Sequence, residues 1–181
     1  TLRRCFSQQA GIRLSLYRGL ITLMNIQQNL KPMVFDILYP QFQQYFIMET
    51  NVHANIKIES CLQTINGEVS ILEPLPYFLA CIIQLRDCKN VIECLIERLM
   101  NADMSEFMID PSADYKMVNN EGMRNNLSAN VLLGCYEVAI EHVFYSSPEP
   151  NFCTSEKILK LFKKYNILFE VIKEKSVNPR G

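Results

Sequence analysis

Apolar residues recur at helical spacing along almost the whole chain, and the spacing changes to strict alternation in one stretch. The first stripe is Ile12, Leu16, Leu20, Leu23 and Met24, with Arg13 and Arg18 among the polar positions between them. Gly19 lies inside it at a cost of about 1 kcal/mol against Ala, which points to close packing. Lys31-Pro32 opens the next helix, with Val34, Leu38, Phe42, Tyr45 and Phe46; Pro40 should kink or split it. Pro74 and Pro76 start a helix that runs to about Arg86. Further helices are expected near 90–102 and from about Glu121 to Phe144. The last, capped by Thr154 or Ser155, carries Ile158, Leu161, Phe162, Tyr165, Leu168, Phe169 and Ile172. Residues 1–9 read as the end of a helix that begins upstream, so the chain is expected to be an excerpt of a longer protein.

The alternating stretch is 55–73. Ile56, Ile58, Ser60 and Leu62 alternate with Lys57, Glu59 and Cys61, and Asn66-Gly67 carries the signature of a type I′ turn. This predicts one β-hairpin, which must lie against helices because two strands alone are marginal. Residues 103–120 are acidic and irregular, with a turn at Asp110-Pro111-Ser112. The expectation is an all-α fold: one antiparallel helical domain over 1–181, with about seven helices on short connections. The hairpin is its small β insert and 103–120 its acidic loop.

Composition removes other classes. With 49% hydrophobic residues and a net charge of −1, the chain is not a disordered tail. No apolar run approaches the ~20 residues of a membrane span. Seven cysteines without a C-x-x-C pair read as buried thiols, which points to a reducing compartment, cytosol or nucleus. The two histidines, His53 and His142, have no nucleophile or carboxylate at a useful spacing, and the six glycines form no phosphate loop. Glu137 and Glu141 lie one turn apart and read as a solvated face. An enzyme would require His142, Glu137 and Cys135 to gather around a pocket. No catalytic residue, metal site or cofactor is therefore expected.

Charge is uneven. Arg3, Arg4, Arg13, Arg18 and Lys31 precede the first acid, Asp36, and Lys157, Lys160, Lys163 and Lys164 crowd the last helix. At about 100° per residue, 157, 160 and 164 share one flank, a row able to meet phosphates. The same row also reads as an ordinary solvated face.

Three stretches resemble the Fanconi anaemia group I family, in its second helical domain. One is Leu2-Arg3-Arg4-Cys5-Phe6-Ser7-Gln8-Gln9-Ala10, continuing as Ile12-Arg13-Leu14-Ser15-Leu16-Tyr17-Arg18-Gly19. Another joins Lys57-Ile58-Glu59-Ser60-Cys61 to Ser70-Ile71-Leu72-Glu73-Pro74-Leu75-Pro76-Tyr77. The third runs from Ser112-Ala113-Asp114-Tyr115 through Asn125-Asn126-Leu127 to Gly134-Cys135-Tyr136-Glu137-Val138-Ala139-Ile140-Glu141 and the final helix. After Arg86 the chain departs from the family pattern, lacking a long acidic insert.

The resemblance implies a segment of a large nuclear α-solenoid scaffold that pairs with its group D2 paralogue. That pair encloses duplex or branched DNA during interstrand crosslink repair and is locked by monoubiquitination. It implies ubiquitin and the Fanconi core ubiquitin ligase as partners through segments outside this chain, because the family's acceptor lysine precedes Thr1. DNA-contact candidates are Lys157, Lys160, Lys163, Lys164, Arg3 and Arg4. Ser7, in Ser7-Gln8, is a candidate phosphorylation site. Two readings stay open: a scaffold segment that touches DNA, and a protein-interaction helical domain that does not.

Overall fold

The computed structural model describes residues 2–48, 54–85, 88–146 and 151–176. Leu2–Ser7 form a 3-10 helix, a tighter coil than the expected end of an α-helix. Six α-helices follow among the described residues: α1 (Ala10–Ile26), α2 (Lys31–Tyr45), α3 (Leu75–Ile83), α4 (Lys89–Asn101), α5 (Asn120–Ser146) and α6 (Phe152–Ser176). The fold is all-α with small β elements, as the periodicity predicts. No helix among the described residues is long and apolar enough to cross a membrane.

Helix α2 runs unbroken through Pro40. Proline removes the bond to the carbonyl of Asp36, but both residues are exposed, where water can serve that carbonyl. The cap of α6 is Asn151, one turn earlier than expected. Its Oδ1 accepts from the Thr154 amide at 2.9 Å and from the Thr154 hydroxyl at 3.0 Å.

The expected single hairpin is two antiparallel pairs. Strands β1 (Phe46–Met48) and β2 (Ala54–Ile56) pair in the register Phe46 to Ile56. Strands β3 (Leu62–Ile65) and β4 (Glu68–Ile71) pair with Ile65 opposite Glu68. Between them Ile58–Cys61 coil into a 3-10 turn, so the alternation over 56–62 belongs to a strand end plus a coil that buries Ile58 and Cys61. The turn at Asn66-Gly67 is as predicted: both residues have positive φ, 53° and 84°, the type I′ requirement.

Helix α5 is the centre. It packs against α3 on one side and α6 on the other, and the β3–β4 hairpin and the 58–61 coil lie along it. Gly134 makes the α3 contact possible, since a Cβ there would meet Pro76 Cγ at 2.5 Å. Helix α1 packs on α3, and α4 packs on α6. The acidic segment after α4 is tied down more firmly than its composition implies, because Phe107, Ile109 and Tyr115 are buried. The Tyr115 hydroxyl also donates to the Asp110 carbonyl at 2.9 Å.

Candidate interaction surfaces

The polar centre of the domain is one that helical spacing conceals. The buried face of α1 is Arg13, Tyr17, Leu20 and Met24: Leu20 and Met24 are as expected, but Arg13 and Tyr17 complete the face in place of Ile12 and Leu23, which are exposed. Leu72 and Glu73 amides both donate to the Cys61 carbonyl, at 2.8 and 3.1 Å, which fixes the chain before α3. The Glu73 carboxylate is thereby held at 0% exposure. It accepts from Arg13 Nη1 at 2.8 Å, Tyr17 Oη at 2.7 Å and Gln41 Nε2 at 2.8 Å. Arg13 Nη1 also reaches Tyr45 Oη at 3.2 Å, and its Nε donates to the Gln8 carbonyl at 2.9 Å. Burial works against the guanidinium charge, and its bonds to Glu73 and Tyr45 outweigh that, so its pKa is raised. Burial pushes the Tyr17 phenol well up and that of Tyr45 up to about 12, each with Glu73 adding to the shift. Three long-range pairs thus bolt α1 and α2 to the chain entering α3. This is architecture: Arg13, Tyr17, Gln41 and Tyr45 spend their bonds on Glu73, on one another and on the Gln8 carbonyl.

The three residues that an enzyme would require to gather, His142, Glu137 and Cys135, point to different neighbours. Cys135 is fully buried, and that burial pushes its thiol up to about 12. Glu137 is exposed and accepts from Tyr165 Oη at 3.2 Å. His142 points elsewhere, with Nδ1 3.1 Å from Ser146 Oγ. It borders an open cleft with Gln84, Lys89, Ile92 and Glu93. Half-burial holds its pKa below the usual value, partly countered by Glu93. His53 lies outside the described residues. Among the described residues, no three His, Cys, Asp or Glu side chains gather as a metal site.

The lysines of α6 have divided roles. Lys164 is half-buried and donates to the Ala102 carbonyl at 2.9 Å and to Asp103 Oδ1 at 3.2 Å. Asp103 opens a capping box with Glu106, and Glu106 in turn holds Arg98 at 2.7 Å. Lys164 therefore pins α6 to the end of α4. Lys160 pairs with Glu156 one turn back at 2.8 Å, and burial of Lys157 is partial, against the cleft with Glu93 and Glu97. Lys163 is exposed, on the outer side of the helix. At the other end of the chain Arg4 is exposed, while the side chain of Arg3 lies outside the described set. The exposed Ser7 hydroxyl donates to the Arg4 carbonyl at 2.9 Å, closing the 3-10 turn.

Large apolar side chains face outward on both outer helices. On α1, Ile12, Leu23 and Ile26 are exposed, and a Cβ at Gly19 would meet nothing within 4 Å. On α6, Phe152, Leu159, Phe162 and Phe169 are exposed. The apolar set read for the last helix is thus two faces: Ile158, Leu161, Tyr165, Leu168 and Ile172 look inward, and Phe162 and Phe169 do not.

The family description FANCI helical domain 2 matches residues 1–86 and 83–173. This chain belongs to that family. The FANCI match divides at residues 83–86, where the sequence leaves the family pattern. The chain is 29% identical over 204 residues to the Fanconi anemia group I protein of Gallus gallus, covering 97% of this chain and 15% of that protein. It is 28% identical over 203 residues to the Fanconi anemia group I protein homolog of Mus musculus, with the same shares. Those aligned lengths exceed the 181 residues here, so both relatives carry residues without a counterpart in this chain. The chain spans about one seventh of their length.

Proposed function

We propose that this chain is a non-catalytic scaffold segment of a Fanconi anaemia group I protein. The full-length protein pairs with its group D2 paralogue in the nucleus as a ubiquitination-regulated DNA clamp for interstrand crosslink repair. The observation that carries the reading is the FANCI helical domain 2 match across residues 1–173 of a helical chain. The architecture is in keeping with it: the most elaborate polar cluster joins α1, α2 and the chain entering α3. Ubiquitin and the core ubiquitin ligase engage other parts of the full-length protein.

Within that clamp, DNA contacts from this segment fall to Lys157, Lys160 and Lys163, with Arg4 and Arg3 at the other end. Lys164 is a packing residue. A second reading, in which the segment binds protein and no DNA, is favoured by the intrachain pairs that already occupy Lys160 and Lys164. The readings separate on salt-dependent DNA binding by the full-length protein with its paralogue. Lys157→Glu, Lys160→Glu and Lys163→Glu together should flatten the slope of log affinity against log salt by about 0.9 for each lost phosphate contact. Lys164 is left intact so that folding is not disturbed. An unchanged slope removes DNA from this segment and leaves the second reading.

A further inference from the structure

We propose that the chain's own carboxylates hold the α6 lysine row in check: phosphate must displace Glu156 and compete with Glu93 and Glu97 before the row engages DNA. The inference rests on the DNA reading above and supplies its regulation.

Helical spacing places an acid inside the row. At about 100° per residue, Glu156, Lys157, Lys160, Lys163 and Lys164 share about one third of the circumference of α6. Glu156 Oε1 lies 2.8 Å from Lys160 Nζ, with both side chains about half exposed. That bond holds the Glu156 carboxyl below its usual pKa. Lys157 lines the cleft between α4 and α6 together with Glu93 and Glu97. Glu93 has Lys89 at 3.9 Å, and Glu97 has no ion-pair partner among the described residues. Lys164 is spent on the Ala102 carbonyl and Asp103. Exposed Lys163 makes no ion pair among the described residues.

An ammonium paired with a carboxylate presents no net charge to DNA. Binding phosphate at Lys160 opens the pair, and the released Glu156 then stands beside the phosphate, like charge to like. At Lys157 the two carboxylates of α4 offset the potential that a phosphate meets. An exposed pair shifts an equilibrium by only about 1.5- to 5-fold. That is little against folding, yet enough to grade an affinity built from a few contacts. A lysine so held also adds less to the salt slope than the roughly 0.9 of a free contact. The strength of the row is therefore set by three carboxylates as well as by the number of lysines.

The test titrates duplex DNA with the full-length protein and its paralogue at several salt concentrations. Glu156→Gln should tighten binding about 1.5- to 5-fold and steepen the slope by up to about 0.9. Glu93→Gln with Glu97→Gln should act likewise through Lys157. The control for net charge is Glu68→Gln, an exposed acid on the β3–β4 hairpin, which meets the start of α5 through Thr64 and Arg124. It should leave the slope unchanged, and helical circular dichroism should be the same for all variants. With Lys160→Gln already present, Glu156→Gln should gain nothing. Equal responses to Glu156→Gln and Glu68→Gln overturn the proposal, as does a gain that survives Lys160→Gln. If the triple lysine variant flattens the slope while Glu156→Gln changes nothing, the check by carboxylates falls and the DNA reading stands. If the triple variant leaves the slope unchanged, both fall.

Discussion

Removing Arg13 should unfold much of this domain's margin of stability, and the structure says by how much. Arg13→Met keeps the aliphatic bulk of the side chain and deletes its charge. Glu73, at 0% exposure, then keeps the Tyr17 and Gln41 donors but loses its counter-charge. Breaking a buried ion pair from one side costs about 3–5 kcal/mol, set against a total of about 5–15 kcal/mol for ordinary domains. Tyr17→Phe removes one bond to the same carboxylate and should cost about 1.5–3 kcal/mol. The decisive variant is the double, Arg13→Met with Glu73→Leu. It eliminates both charges and should be less destabilised than Arg13→Met alone, because the cost lies in the orphaned carboxylate and not in the lost attraction.

Equilibrium urea unfolding followed by far-ultraviolet circular dichroism measures all three variants, and the absence of Trp makes that signal preferable to fluorescence. The midpoint should move with little change in slope. A loss below about 1 kcal/mol for Arg13→Met is the behaviour of an exposed pair; it would refute the buried node. Costs that simply add in the double variant would refute the orphaned-charge account.

Two glycines should respond in opposite senses. Gly134→Ala places a methyl group against the Pro76 ring and should cost about 1–3 kcal/mol, whereas Gly19→Ala, with open space, should stabilise the 181-residue chain by up to about 1 kcal/mol in thermal or urea unfolding. Lys164→Met, which frees the Ala102 carbonyl and Asp103, should cost more than Lys160→Met, whose exposed pair is worth about 0.2–1 kcal/mol; parallel unfolding curves decide it. His142 should titrate below 6.5 by NMR. The unfolded chain takes up the proton first as pH falls, so the stabilisation is complete above about 6.5 and is lost through the folded pKa.

Helix positions were legible because each helix keeps a dense apolar row, and the hairpin turn was legible because Asn66-Gly67 has one favoured geometry. What stayed hidden has a common physical origin: apolar periodicity counts apolar residues and says nothing about which row faces inward. Helix α1 offers two ways to complete the row of Leu20 and Met24, with Ile12, Leu16 and Leu23 or with Arg13 and Tyr17, and the more apolar one excludes Arg13. The inward row wins because Glu73 waits opposite it, a contact across 60 residues that no local window contains. The visible clue was the pairing of types: an arginine one turn before a tyrosine, and a glutamate immediately before the proline that starts α3. Strand β1 was missed for a similar reason. Phe46 continues the apolar spacing of α2, and only its partner at Ile56 identifies it as extended.

The same ambiguity shapes the surface chemistry. A lysine row on α6 has one appearance in sequence, but Lys164 ends on a backbone carbonyl while Lys163 ends in solvent, and the two differ by one residue. Counting charge along the helix therefore overstates what a phosphate backbone can reach. The outward phenylalanines show the converse. They read as ordinary core residues, and in a free-standing domain that reading would demand that they be buried. Their exposure on α6, together with that of Ile12, Leu23 and Ile26 on α1, shows that core-like spacing does not by itself bury a row.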